Sequence, residues 1–118
     1  MKTLVLGASE KEDRYANKAV RLLREYDHEV VAVGRSTGNI GDVPIQTGQP
    51  AVPDVDTVTL YIGPHFQAGF LDYVIGLKPR RVIFNPGTEN PEFQQALETA
   101  GITPLEACTL VLLRTDQF

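Results

Sequence analysis

Short apolar runs alternate with stretches of helical periodicity along this chain, and that order admits few folds. Thr3 to Leu6 is β-branched and apolar and stops at Gly7, which predicts a buried strand. Ala16, Ala19, Val20, Leu23 and Tyr26 then recur three and four residues apart, the spacing of one helix face. Val30 to Val33 predicts a second strand, ended by Gly34, and Thr57 to Ile62 a third, broken by Gly63 and Pro64. Phe66 to Leu77 reads as a second helix with Phe70, Leu71, Val74 and Ile75 as its apolar stripe. Arg81 to Phe84 is a fourth strand, ended by Asn85, Pro86 and Gly87. A third helix opens with Asn90 as N-cap and Pro91 at the first helical position. It buries Phe93, Ala96, Leu97 and Ala100 and stops at Gly101. Ile102 to Glu106 is a fifth strand, and Cys108 to Leu113 closes the chain as a short helix. Between the second and third strands, Ser36 to Asp56 is rich in Gly, Pro, Asn and Asp. It reads as a long loop with a short strand near Val43 to Ile45, and loops of that length are often functional.

Strands joined through helices pair in parallel, and parallel sheets are covered on both faces. The expected fold is therefore α/β: a single Rossmann-like domain over residues 1–118, with a five-stranded, mostly parallel sheet and helices on both faces. A chain of 118 residues, 42% hydrophobic and 22% charged, holds one core without staples and is not disordered. Its one cysteine excludes an internal disulfide framework. No apolar run approaches the ~18 residues of a membrane helix, and the opening MKTLVLGAS is too short for a signal peptide. These features predict a cytoplasmic protein with no membrane partner.

The net charge of −4 argues against a nucleic-acid partner, yet the cations are unevenly placed. Lys2, Lys11, Arg14, Lys18, Arg21, Arg24 and Arg35 lie in the first 35 positions, and none lies between Arg35 and Lys78. Positive charge gathered near the first loop of an acidic chain suits a small anionic ligand. In parallel α/β sheets ligands sit at the carboxyl ends of the strands, where the connections diverge. Gly7, Gly34, Gly63 and the Asn85-Pro86-Gly87 turn all fall at that edge. The first turn, Gly7-Ala8-Ser9, leads into a helix, whose free N–H groups and dipole attract anions. It is not a P-loop, and it lacks the third glycine of the G-x-G-x-x-G fingerprint, where Glu12 stands. The acid that reads a ribose hydroxyl after the second strand is replaced by Gly34 and Arg35. Arginine there suits a phosphate on the adenosine ribose, which NADP and coenzyme A carry and NAD does not.

The order of these segments resembles that of the small CoA-binding proteins related to the N-terminal domain of the succinyl-CoA synthetase alpha subunit. LVLGASEKEDRYANKAVRLL is similar to that family's strand, Gly-Ala-Ser turn, arginine and helix. VVAVGRSTGNIGDVPI resembles its second strand and phosphate-contacting loop. Tyr61-Ile62-Gly63-Pro64-His65-Phe66 resembles its pantetheine-side strand end, and VIFNPGTEN its glycine-containing turn. The resemblance implies that Gly7, Ala8 and Ser9 hold CoA phosphates with Arg14 supporting the loop. It implies that Gly34 and Arg35 meet the adenosine end and that Gly63 and Pro64 border the pantetheine; Asn85, Pro86 and Gly87 join the candidate site as the turn that ends the fourth strand at the same edge. The expected function is non-catalytic binding of coenzyme A or an acyl-CoA. The alternative is an NADP-type nucleotide-binding regulatory or oxidoreductase-like domain, and a homodimer is left open.

No residue pattern calls for catalysis. His28 reads as a surface residue at the amino end of the sheet, and His65 as a helix-start residue facing water. There is no H-E-x-x-H and no second cysteine, so no transition-metal site is expected. Cys108 reads as a desolvated, inert thiol; the sharper alternative has it facing the thiol of bound CoA.

Overall fold

The computed structural model describes residues 1–118. Strand β1 (Lys2–Ala8) leads to helix α1 (Tyr15–Glu25) and strand β2 (Glu29–Gly34). Strands β3 (Gly38–Ile40) and β4 (Val43–Gln46) follow, then β5 (Val55–Leu60), α2 (Pro64–Gln67), a 3₁₀ turn over Ala68–Phe70, and α3 (Leu71–Leu77). Strand β6 (Arg81–Phe84), α4 (Pro91–Thr99), β7 (Thr103–Glu106) and α5 (Thr109–Arg114) complete the chain. One sheet runs in the order β3-β4-β2-β1-β5-β6-β7, parallel throughout except for the antiparallel β3–β4 pair.

The sheet therefore has seven strands where the sequence predicts five. The additional pair is a hairpin turned by Gly41 and Asp42, with Gly41 at φ +59°. Ile40, Val43 and Ile45 point inward from it and are buried. β4 falls where the sequence places a short strand, near Val43 to Ile45, while β3 spans only three residues that open on a glycine and leaves no alternation to read. The second helix also departs from expectation. It breaks at the 3₁₀ turn around Gly69, which has no side chain to favour the helical state. The other boundaries follow local chemistry. The Asn90 side chain accepts from the Phe93 N–H at 3.2 Å, and Gly101 takes φ +80° after α4.

Helices cover both faces. On one face α1 and α5 bury Ala16, Val20, Leu23 and Leu113 against Val5 and Ala32. On the other, α3 and α4 bury Val74, Phe93 and Leu97 against Leu4, Leu6, Val58, Val82 and Phe84. Ala100, expected in the core, is exposed because α4 has already ended at Thr99.

The sheet's amino end carries a polar cluster. Arg81 is 8% exposed; its guanidinium donates to Thr57 Oγ1 at 3.0 Å and to the Phe118 carbonyl at 2.8 Å. The Phe118 ring meets His28 edge-on at 5.0 Å. His28 is thus half-buried rather than a free surface residue. Burial lowers its pKa, helped by the nearby chain amine and Arg81. A base with a depressed folded pKa binds fewer protons in the folded state than in the unfolded one. Stability from this group is full above about pH 6.5 and declines as pH falls towards the folded pKa. Thermal melts between pH 7 and 5 are expected to show a steeper decline for the wild type than for His28→Gln. Equal slopes would remove His28 as the source.

Candidate functional site

The chain winds outward from β1 in two directions: through β2 to one edge, and from β5 through β6 to the other. The carboxyl ends of β1 and β5 therefore flank the point where the connections diverge, which is where open α/β sheets bind ligands. A cleft of about 1080 Å³ opens there. That is just above the ~300–1,000 Å³ range of ligand pockets, which suits a long ligand.

Its floor is backbone against backbone. Gly7 takes φ +104°, and a Cβ there would lie 2.9 Å from the Tyr61 carbonyl carbon. At Gly34 a Cβ would run into the carbonyl oxygen of Ala8. Both glycines are required by strand contact before any ligand is considered. Gly63 and Gly87 differ: a Cβ at either meets nothing within 4 Å, so these two face open space along the cleft.

The β1–α1 turn is held from behind. The Asn17 amide, fully buried, donates to the Ser9 carbonyl at 2.9 Å and accepts from Arg21 Nε at 2.8 Å. Ser9 Oγ accepts from the Lys11 N–H at 3.2 Å. Arg14 is the N-cap of α1 and makes no side-chain cap, so no side chain of its own occupies the helix N-terminus. Glu10 bends away over Gly38 and accepts from the Asn39 N–H at 3.0 Å, tying this turn to the hairpin.

Charge decides what the cleft attracts. Lys11, Arg14 and Arg35 line it against one carboxylate, Glu10, already bonded to the hairpin. None of these three cations is in an ion pair; the molecule's ion-paired cations are Lys2, Arg21, Arg24 and Arg80. Uncommitted cations beside a helix N-terminus form an anion site.

Nine of the residues singled out in the sequence come together here: Gly7, Ala8, Ser9, Arg14, Gly34, Arg35, Gly63, Pro86 and Gly87. Two do not. Pro64 is exposed at the first position of α2, outside the cleft. Asn85 is 2% exposed and committed to the fold: Nδ2 donates to Thr59 Oγ1 (2.6 Å) and the Leu60 carbonyl (2.8 Å), and Oδ1 accepts from the Thr109 N–H (2.9 Å). His65 is exposed, and neither it nor Cys108 lines the cleft. Cys108 is half-buried as the N-cap of α5, near the Tyr61 phenol. Burial pushes the Tyr61 phenol up to about 12, so it stays protonated at any physiological pH. No group of three or more His, Cys, Asp or Glu residues is placed to hold a metal ion, and no helix is long and apolar enough to cross a membrane.

Sequence reasoning missed the buried amides. Besides Asn17, Gln67 is fully buried and donates to the carbonyls of Ile62 (3.0 Å) and Thr88 (2.7 Å) while accepting from Asn90 (3.1 Å). It fastens the Gly63 turn to the Gly87 turn. The local signal was a glutamine inside an apolar helical segment.

Comparison with known proteins places this geometry. A family model described as CoA binding domain matches residues 1–114. No curated protein matches the chain. A crystal structure of an uncharacterized protein superposes with a TM-score of 0.96 at 46% identity, over 99% of this chain and 97% of that one. A Thermus thermophilus protein gives 0.83 at 28% identity, over 99% and 90%. A dinucleotide-forming acetyl-coenzyme A synthetase from Ca. Korarchaeum cryptofilum gives 0.75 at 17% identity, over 89% of this chain and 25% of that one, a likeness of fold alone. The family model takes in every element from β1 to α5 and so the whole cleft, and the chain belongs to the CoA binding domain family.

Proposed function

We propose that the protein binds coenzyme A or an acyl-CoA in the cleft at the carboxyl edge of the sheet and carries out no reaction on it. The observation that carries this reading is the set of unpaired cations, Lys11, Arg14 and Arg35, around the β1–α1 turn. The pyrophosphate would lie on the backbone of Gly7, Ala8 and Ser9 and the N-terminus of α1. Arg35, at the end of β2, would meet the adenosine phosphate, and the pantetheine would run past Gly63 towards Gly87. The open space at both glycines is room such an arm needs. Simple binding is supported by the position of both histidines and Cys108 outside the cleft lining.

A thermal-shift panel of CoA, acetyl-CoA, 3′-dephospho-CoA, NADP, NAD and ATP tests the reading. CoA at 100 times its dissociation constant is expected to add about 2.7 kcal/mol of stability. 3′-dephospho-CoA is expected to bind more weakly, because Arg35 loses its phosphate. Equal affinity would remove that role from Arg35. If no adenosine-containing ligand raises the melting temperature at millimolar concentration, the binding reading fails; if NADP alone does, the ligand is a dinucleotide.

A further inference from the structure

We infer that Phe66 is a stacking platform for the adenine ring of the ligand, with Arg35 as the opposite wall of the slot; this rests on the reading of the cleft as an adenine-nucleotide site. Phe66 is 64% exposed, although water disfavours an uncovered phenyl ring. It lies at the cleft, on the first turn of α2. Its backbone is fixed by its neighbour Gln67, which is fully buried and bonded to two carbonyls. The ring is therefore presented rather than loosely placed.

What faces the ring is equally specific. Arg35 comes from the end of β2, while Phe66 follows β5, so the two stand on opposite banks of the cleft. The guanidinium carbon lies 5.8 Å from the ring centroid, within cation–π range, and Arg35 is in no ion pair. A planar cation and an aromatic face opposed across a ligand cleft can part to admit a flat, electron-rich heterocycle. A guanidinium can stack with its face while its edge N–H groups remain free for a phosphate. One arginine can thus serve the base and the ribose phosphate together. The second exposed aromatic at the cleft, Tyr15, has its ring covered by Lys18 from its own helix at 5.2 Å. It does not face a partner across the opening.

The chain contains no tryptophan, so Phe66→Trp places a single reporter in the slot. Titration calorimetry of the wild type, Phe66→Ala and Phe66→Trp with CoA is paired with the emission of Phe66→Trp. Loss of one stacked base is expected to weaken CoA roughly 5- to 150-fold in Phe66→Ala. Phe66→Trp is expected to restore wild-type affinity, and its emission to be quenched by CoA but not by equal concentrations of 4′-phosphopantetheine, which lacks the adenine. Unchanged affinity in Phe66→Ala, or no quenching at saturating CoA, overturns the platform while leaving CoA binding intact. A wild type that does not bind CoA overturns the reading of the cleft itself.

Discussion

Gly7→Val is expected to lose about 4 kcal/mol of folding stability before its ligand affinity can be measured at all. Two penalties combine. The residue sits at φ +104°, where a β-branched side chain is strained by roughly 1–3 kcal/mol. Its Cβ would also stand 2.9 Å from the Tyr61 carbonyl carbon and 3.0 Å from the Tyr61 oxygen. Those are backbone atoms in the central β1–β5 region, where the Tyr61 N–H donates to the Leu6 carbonyl at 2.8 Å, so they cannot step aside. Overpacking of that kind costs roughly another 1–3 kcal/mol. Urea denaturation should show a lower midpoint at an unchanged slope, the mark of altered stability in a two-state protein. Gly63→Val is the contrasting case. Gly63 has φ −66° and ψ 159°, a conformation valine accepts, and a Cβ there meets nothing within 4 Å. Its stability should stay within about 0.5 kcal/mol of wild type, while CoA affinity falls as the isopropyl group enters the cleft. A Gly7→Val chain with a wild-type midpoint, or a Gly63→Val chain that binds CoA normally, would overturn the assignment concerned.

That contrast marks what the sequence made legible. Both glycines end apolar runs, and both suggested access for a ligand. Only the packing of β1 against the Tyr61 backbone separates a glycine the fold needs from one that packing leaves free. Local rules worked where the partners are local. Asn90 and Pro91 opened α4, and Gly101 closed it, because a cap bond spans three residues. The hairpin was also written locally, with Gly41-Asp42 between Ile40 and Val43, a recognised two-residue turn signal. Val43 to Ile45 is legible as a short strand, but its partner Gly38–Ile40 spans only three residues and opens on a glycine, so the pairing is not.

The cleft's supports were not legible for a different reason. Asn17, Gln67 and Asn85 are buried amides with bonds spanning up to 26 residues. An amide in sequence looks like surface, since burial is favourable only once every donor and acceptor has found its partner. Ligand residues and support residues then look alike. Asn85 stood in a glycine-containing turn at the expected edge, and its neighbours Pro86 and Gly87 do line the cleft. Its own side chain points into the protein.

Asn85→Leu should accordingly behave as a folding variant, with a loss of about 3 kcal/mol. Leucine matches the volume but offers no polar atom. The Thr109 N–H and the Leu60 carbonyl lose their Asn85 partner. Thr59 Oγ1 keeps its bond to Thr109 Oγ1 at 2.8 Å. An unsatisfied buried backbone group costs roughly 1–3 kcal/mol, and two are created. The damage should spread to α5, whose first turn Asn85 holds against the ends of β5 and β6. Hydrogen exchange in α5 should therefore rise ahead of exchange in α4. Asn85→Asp separates this explanation from simple loss of volume. A carboxyl at this position is almost fully buried, so its folded pKa lies above the ordinary carboxylate value. The folded state then holds its proton longer than the unfolded state, and stability falls as pH rises through that interval. The neutral acid can still donate one bond to Leu60 or Thr59, whereas the ionised form can donate none. Asn85→Asp is therefore expected to be more stable near pH 4 than near pH 7, opposite to the acid loss expected from His28. A variant that lost stability towards acid like the wild type would show that position 85 is wetter than its 2% exposure implies.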